Sequence, residues 1–319
     1  MKKISEGRTG HTEVEESVGT KAPGAGFSGI GKPADSNAQS EQSSGEERWT
    51  AEETGAVKED EYREETVCAG SGEVPDGNEP VVLIKGVHKA FKDHPVLKGV
   101  DLHVNKGENL VVLGKSGSGK SVLIKCLVGL ETPDEGELCV FGHDVSSLNY
   151  KELNETRVRI GFLFQNSALY DSMTVRENLA FPLRRHKKNM SKERRETLIE
   201  EMLDNVGLPD VIDQMPSELS GGQNKRIGLA RTLILRPELM LYDEPTTGLD
   251  TGTSKEISEL IHSLQKKYNI SSIMITHDMP SARITADRIV MLKEGVVVAE
   301  GTYAELEKSD DEWIKSFFA

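Results

Sequence analysis

The chain has 319 residues and carries 39 Lys and Arg against 53 Asp and Glu, a formal charge of −14 at pH 7. Hydrophobic residues make up only 36% and aromatics 5%, which is lean for one continuously packed globule and implies that part of the chain stays unpacked. No run of about 18 apolar residues occurs, which argues against a membrane-spanning helix. From residue 81 onward 31 basic residues face 35 acidic ones, too even a balance for a surface that tracks phosphates, so no nucleic-acid partner is expected.

Residues 1–80 hold 8 Lys and Arg against 18 Asp and Glu, with Gly-, Ser- and Glu-rich runs such as Ser43-Ser44-Gly45-Glu46-Glu47. Such a segment buries too little surface to offset the entropy of ordering it, so it reads as a disordered acidic extension. Composition favours an inert, solvated role over docking through Trp49. Met1-Lys2-Lys3 is followed by no apolar stretch, and the acidity argues against a transit peptide. Cys68, Cys126 and Cys139 are odd in number and lack metal-type spacing, so they read as reduced thiols of a cytosolic protein.

At Val81-Val82-Leu83-Ile84 the texture turns apolar and β-branched, and Leu110-Val111-Val112-Leu113 repeats it and ends at glycine. Both fit buried strands. Gly114-Lys115-Ser116-Gly117-Ser118-Gly119-Lys120-Ser121 follows directly and leads into an apolar helix predicted over 122–130. Glycine, four residues, then Gly-Lys-Ser between a strand and a helix is the pattern of a phosphate loop. Its glycines let backbone N–H groups curl around a β-phosphate, and the helix start adds a field that favours anions. Lys120 would reach the β- and γ-phosphates and Ser121 would bind Mg²⁺.

Strand signals vanish between about 168 and 232, where helical periodicity such as Leu198, Ile199, Met202, Leu203 and Val206 predicts a helical subdomain. Within it Leu219-Ser220-Gly221-Gly222-Gln223 opens another helix, a second anion-friendly start. One nucleotide cannot occupy both starts of one chain. The apolar run from Leu239 closes on Tyr242-Asp243-Glu244. There Asp243 could hold the water shell of Mg²⁺ and Glu244 could polarise an attacking water. A helix with Ile257, Leu260, Ile261 and Leu264 on one face follows, then the strand Ile273-Met274-Ile275. Strands alternating with helices predict an α/β fold with a mostly parallel sheet and ligand groups at its carboxyl ends.

With Leu-Ser-Gly-Gly-Gln just ahead of a strand ending in Asp-Glu, the chain resembles the ABC ATPase family over roughly residues 81–305. The resemblance implies a P-loop NTPase domain over 81–308, a RecA-like core with a β subdomain and an inserted helical subdomain, and a short apolar segment at 309–319. It places Phe91 against adenine, and Gln165 at the loop that contacts Mg²⁺ and a transmembrane permease. It assigns Gly248-Leu249-Asp250 to the D-loop and His277 to sensing the γ-phosphate beside the catalytic Glu244. The nucleotide set is then Phe91, Gly114 to Ser121, Gln165, Ser220, Gly221, Gly222 and Gln223. The metal set is Ser121, Gln165 and Asp243, with ATP and Mg²⁺ as cofactors. The family implies a head-to-tail homodimer in which ATP on one phosphate loop is covered by Ser220 and Gly222 of the other copy. It also implies a peripheral place on the inner face of the cytoplasmic membrane, touching the bilayer only through the permease.

The stretch from Phe162 to Asn178, continuing Phe181-Pro182-Leu183-Arg184, is similar to the ATPases of Mla-type phospholipid transporters, which work with MCE-type lipid-binding proteins. That similarity implies phospholipid transport. Two positions depart from it: Gln223 stands where methionine is expected, and Thr251 where proline is usual. Glutamine at that position is also what amino-acid and methionine importers carry, so an importer of a small polar solute is the alternative. A soluble ABC ATPase is a more distant one, and a P-loop kinase would leave Ser220 to Gln223 without purpose. The apolar end Trp313-Ile314-Lys315-Ser316-Phe317-Phe318 fits equally a docking patch or a last core turn.

Overall fold

The computed structural model describes Cys68 and residues 80–318. Apart from Cys68 and Pro80, the extension expected over 1–80, Trp49 included, lies outside the described residues.

Two sheets organise the domain. In the first, β1 (Val82–Phe91) lies between β2 (His94–Val104) and β4 (Glu135–Val140), all antiparallel, with the two-residue β5 (His143–Asp144) at the edge. Strand β1 runs well past the four residues predicted and turns back through Lys92 at φ 55°. The second sheet takes the order β10-β9-β3-β8-β7-β6, built from β3 (Asn109–Leu113), β6 (Ile160–Leu163), β7 (Leu239–Asp243), β8 (Ser271–Thr276), β9 (Arg288–Lys293) and β10 (Val296–Gly301). All its pairings are parallel except that of β9 with β10, as the alternation of strands and helices predicted.

The central strands are buried on both faces, and their side chains sort by parity between two cores. Leu110 and Val112 of β3, Leu239 and Leu241 of β7, and Ile273 and Ile275 of β8 join the core shared with the first sheet. That core also takes the apolar face of α1 (Lys120–Leu127). Val111, Leu113, Met240, Tyr242 and Met274 point the other way, into the core shared with the helical region. Helix α1 stops short of the 130 predicted because Gly129 turns left-handed at φ 64°.

After α2 (Tyr150–Arg159) and β6 come α3 (Val175–His186), α4 (Lys192–Asn205), two single 3₁₀ turns and α5 (Gly221–Leu233), so helices occupy most of the stretch 168–232. Asn178, fully buried on α3, donates its amide to the Tyr170, Met173 and Thr174 carbonyls and so ties the preceding loop to the helix. Then α6 (Thr251–Tyr268) and α7 (Met279–Thr285) cover the second sheet. The carboxyl end folds back rather than standing free: through α8 (Tyr303–Leu306) and α9 (Glu312–Lys315) it buries Ile314 and packs Trp313, Phe317 and Phe318 on the core.

One sequence expectation is corrected. Cys68 and Cys139 are not free thiols but a disulfide, and only Cys126 is a free, buried thiol. The Cys68 N–H donates to the Gly142 carbonyl at 3.0 Å, which sets its side chain beside Cys139 on β4. Cys68 is thus a packed residue inside the stretch expected to stay unpacked. A separation of 71 residues hides such a pair, because spacing along a chain does not report tertiary neighbours.

Candidate functional site

Strand β3 delivers Gly114 to the carboxyl edge of the parallel sheet, and the loop curls back to start α1 at Lys120. Two glycines there have physical necessity. A Cβ on Gly114 would collide with the Leu292 carbonyl oxygen. Gly119 sits at φ 107°, and a Cβ there would lie 3.0 Å from the Val96 carbonyl oxygen and 2.9 Å from a Leu97 methyl. That second contact also brings the β1–β2 hairpin alongside the loop. Lys115, Ser116, Gly117 and Ser121 are exposed, while Ser118, Gly119 and Lys120 are buried.

The Lys120 ammonium donates to the Gly114 carbonyl at 2.7 Å and stands 3.8 Å from a Glu244 carboxylate oxygen. Burial pulls its pKa below the usual lysine value, and the charges of Glu244 and Asp243 oppose that shift. The buried Ser118 hydroxyl has no hydrogen-bond partner among the described residues, and α1 begins without a side-chain cap. An orphaned donor, an uncapped helix start and a retracted lysine fit a polyphosphate.

Strand β7 ends by presenting Asp243, and the chain then turns through Glu244 at φ 48°. A non-glycine residue in the left-handed region costs of order 1–3 kcal/mol and persists where its surroundings fix it. Here the Glu244 N–H donates to the Ile275 carbonyl at 3.0 Å. The carboxylate lies 2.8 Å from the His277 Nδ1 and accepts from the Thr276 and Thr247 hydroxyls at 3.3 and 3.4 Å. Lys120 and His277 therefore meet on the Glu244 carboxylate. Burial, then the Glu244 charge, pushes the Asp243 carboxyl above its usual range, a site that would favour a bound cation. Asp243 and the Ser121 hydroxyl are the hard oxygen donors Mg²⁺ takes.

Sequence reasoning missed the support beneath this cluster. The Thr246 hydroxyl donates to Asp278 at 3.1 Å, Ser281 donates to the same carboxylate, and the Ser258 hydroxyl donates to Ser281 at 2.9 Å. This largely buried chain fixes the turn after Glu244 to the start of α7. Only Asp278, just ahead of a helix with Pro280 in its first turn, left a signal in the sequence.

Gln165 is exposed in the loop after β6, and its carbonyl accepts from the Lys225 ammonium. Lys225 is in turn felt by Asp243. Phe91 lies 42% exposed at the tip of the β1–β2 hairpin, with the Lys89 ammonium 5.5 Å over its ring. Ser220, Gly221, Gly222 and Gln223 are not brought to the phosphate loop of the same chain. With Gly248 and Asp250 they line a separate cleft of about 390 Å³. There Ser220 and Gln223 cap α5 reciprocally: the Ser220 hydroxyl accepts from the Gln223 N–H at 3.2 Å and the Gln223 side chain accepts from the Ser220 N–H at 2.8 Å.

Residues 97–247 match the family model described as ABC transporter. The methionine import ATP-binding protein of Rhizobium etli is 41% identical over 70% of this chain, which spans 61% of that relative's length. Its counterpart in Clostridium acetobutylicum is 38% identical over 71% of this chain and 70% of its own. Among solved structures, an ATP-binding cassette dimer in a post-hydrolysis state bound to ADP and phosphate superposes with TM-score 0.63 at 34% identity, over 69% of this chain and 98% of that one. A subunit of an ABC transporter complex from Clostridium perfringens superposes with TM-score 0.67 at 27% identity, over 71% of this chain and 90% of its own.

Proposed function

The chain belongs to the ABC transporter family of ATP-binding subunits, and from that premise we propose that it hydrolyses ATP to drive an importer of a small polar solute, with an amino acid such as methionine the leading class. The observation that carries the ATPase reading is the Glu244 carboxylate held between the Lys120 ammonium, 3.8 Å away, and the His277 ring, 2.8 Å away. Lys120 and the loop amides would hold the phosphates, Asp243 and Ser121 would hold Mg²⁺, which supplies charge neutralisation when bound, and Glu244 would orient and deprotonate the attacking water.

A second copy of the chain is the natural partner, because Ser220 and Gly222 face a cleft of their own instead of the phosphate loop. Among the described residues no helix is long and apolar enough to cross a membrane. Contact with the bilayer would therefore run through permease subunits at its cytoplasmic face. Beside Gln165 an apolar groove of about 300 Å³, lined by Val128, Leu130, Phe162 and Phe164, offers a seat for such a subunit. Leu130 and Phe164 are 59% and 43% exposed there, apolar surface that such a subunit would cover.

For the substrate, the named relatives favour the importer over the phospholipid reading that the Phe162–Asn178 stretch suggested, and their names include no MCE-type partner. Gln223 points the same way. The test is reconstitution with the native permease in vesicles: ATP-dependent uptake of labelled methionine or another amino acid is expected, with no ATP-dependent movement of labelled phospholipid. Phospholipid movement without amino-acid uptake would overturn the importer reading and leave the ATPase reading intact.

A further inference from the structure

The loop after β6 is held in a conformation that its own residues disfavour. Ser167 and Ala168 lie at φ 57° and 49°, and two successive non-glycine residues in the left-handed region need their surroundings to fix them. The restraints come from one face of α5, at intervals of three residues. The buried Lys225 ammonium donates to the Gln165 carbonyl. Gly228 lies so close that a Cβ on it would stand 2.8 Å from the Ser167 Cβ. The Arg231 guanidinium donates to the Ala168 carbonyl at 2.7 Å and the Ser167 carbonyl at 3.3 Å, and sits 5.4 Å over the Tyr170 ring.

These contacts take up three of the four carbonyls from Gln165 to Ala168 by charge-assisted bonds, those to Gln165 and Ser167 part-buried and that to Ala168 exposed. Ser220, at the start of the same helix, lies five residues before Lys225, about 7.5 Å along the axis at 1.5 Å per residue. A helix this short is rigid on that length. Whatever displaces Ser220 therefore displaces the anchor of the Gln165 loop.

We propose that Lys225 and Arg231 are positioning residues that lock the Gln165 loop to α5, so that Gln165 and Ser220 move as one body. In function this rests on the ATPase reading; in structure it does not. Engagement of the Ser220 turn by nucleotide in a partner would then be felt at Gln165, and at the apolar groove beside it, without a separate relay. Neither side chain belongs to the phosphate loop and both are engaged by carbonyls of the loop after β6, so their loss should lower turnover and spare nucleotide affinity.

Two measurements on the full-length chain decide the matter. The first places spin labels at the exposed positions 166 and 217 and records the distance distribution with and without ATP. Wild type should give one narrow distribution in both states, and Lys225→Met combined with Arg231→Met should broaden it. The second compares kcat with ADP affinity. The double variant should lose at least tenfold in kcat with ADP affinity within twofold of wild type, and Lys225→Gln, which keeps a donor, should recover part of that loss. A distribution as narrow in the double variant as in wild type would overturn the proposal, as would equal losses in kcat and ADP affinity. If the double variant does not fold, Arg231→Lys, with fewer donors, should still broaden the distribution, and an unchanged one counts against the lock. If wild type hydrolyses no ATP, the ATPase reading fails, while the distances still decide the lock.

Discussion

The molecule contains two glycine-rich helix starts, and they are finished differently. Helix α1 opens behind the phosphate loop with no side-chain cap and with its lysine folded inward on the Gly114 carbonyl. Helix α5 opens behind Leu219 with a complete capping box, in which Ser220 and Gln223 satisfy each other's backbone N–H groups. Helix starts leave four N–H groups wanting acceptors. The first start keeps them for a ligand, and the second has supplied some of its own. On the function proposed above, the uncapped start would hold the anion and the capped one would be brought up to it from another chain.

The largest predicted effect tests whether the uncapped half carries the chemistry. Glu244→Gln should lower steady-state phosphate release by about 10²- to 10⁴-fold, the range for loss of a general base, while dimerisation with ATP, followed by size-exclusion chromatography, persists. Undiminished hydrolysis would remove Glu244 from its role. The next prediction separates the two starts directly. Lys120→Ala should weaken ATP binding to the monomer by about 1.5–3 kcal/mol, roughly 10- to 100-fold in Kd. Ser220→Ala should leave the monomer's Kd unchanged and suppress dimerisation. Equal weakening in a fluorescent-nucleotide titration would break the distinction between holding and closing.

A third prediction concerns the glycines themselves. Gly114→Ala should destabilise the fold by about 1–3 kcal/mol in urea unfolding, since the added methyl meets the Leu292 backbone carbonyl at 2.4 Å, which cannot swing aside as the Ser118 hydroxyl at 2.5 Å could. Gly221→Ala should be neutral or stabilising by up to about 1 kcal/mol, because the nearest atom to its new Cβ is a Leu249 methyl at an ordinary 3.6 Å.

How much of this could be read from the sequence depended on where the information sat. Strand, glycine pattern and helix around Gly114 to Ser121 are contiguous, so local pattern sufficed, and the same holds for Asp243-Glu244 at a strand end. The split of each central strand between two cores follows from parity alone. What escaped was tertiary. Cys68 and Cys139 are brought together by one backbone hydrogen bond at a hairpin, and no spacing rule encodes that. Nothing local sets Lys225 and Arg231 apart from other polar positions of a helix; the loop they grip does. The resemblance puts Gln223 among the nucleotide contacts, and the structure adds that its side chain caps α5, a role that the Ser-x-x-Gln spacing also encodes.

The smallest effect is the dependence of unliganded stability on pH, and it sharpens the contrast between the two starts most selectively. Burial holds the Lys120 pKa below 10.5 in the folded protein. Between the folded value and 10.5 the unfolded chain therefore keeps a proton that the folded one has released. Stability rises with pH across that window, and below it the cost of burying the ammonium is present in full. Asp243 is displaced in the opposite sense, above 3.8. Between 3.8 and its folded pKa the native state holds the extra proton, and stability falls as pH rises. Lys120→Met should flatten the alkaline rise in urea unfolding across a pH series. It should also extend the acidic fall upward, because Asp243 loses one of the positive charges that restrain its shift. Ser220→Ala should alter neither leg. If it did, the capped start would share the buried electrostatics of the cradle, and the two helix starts would no longer be distinct in kind.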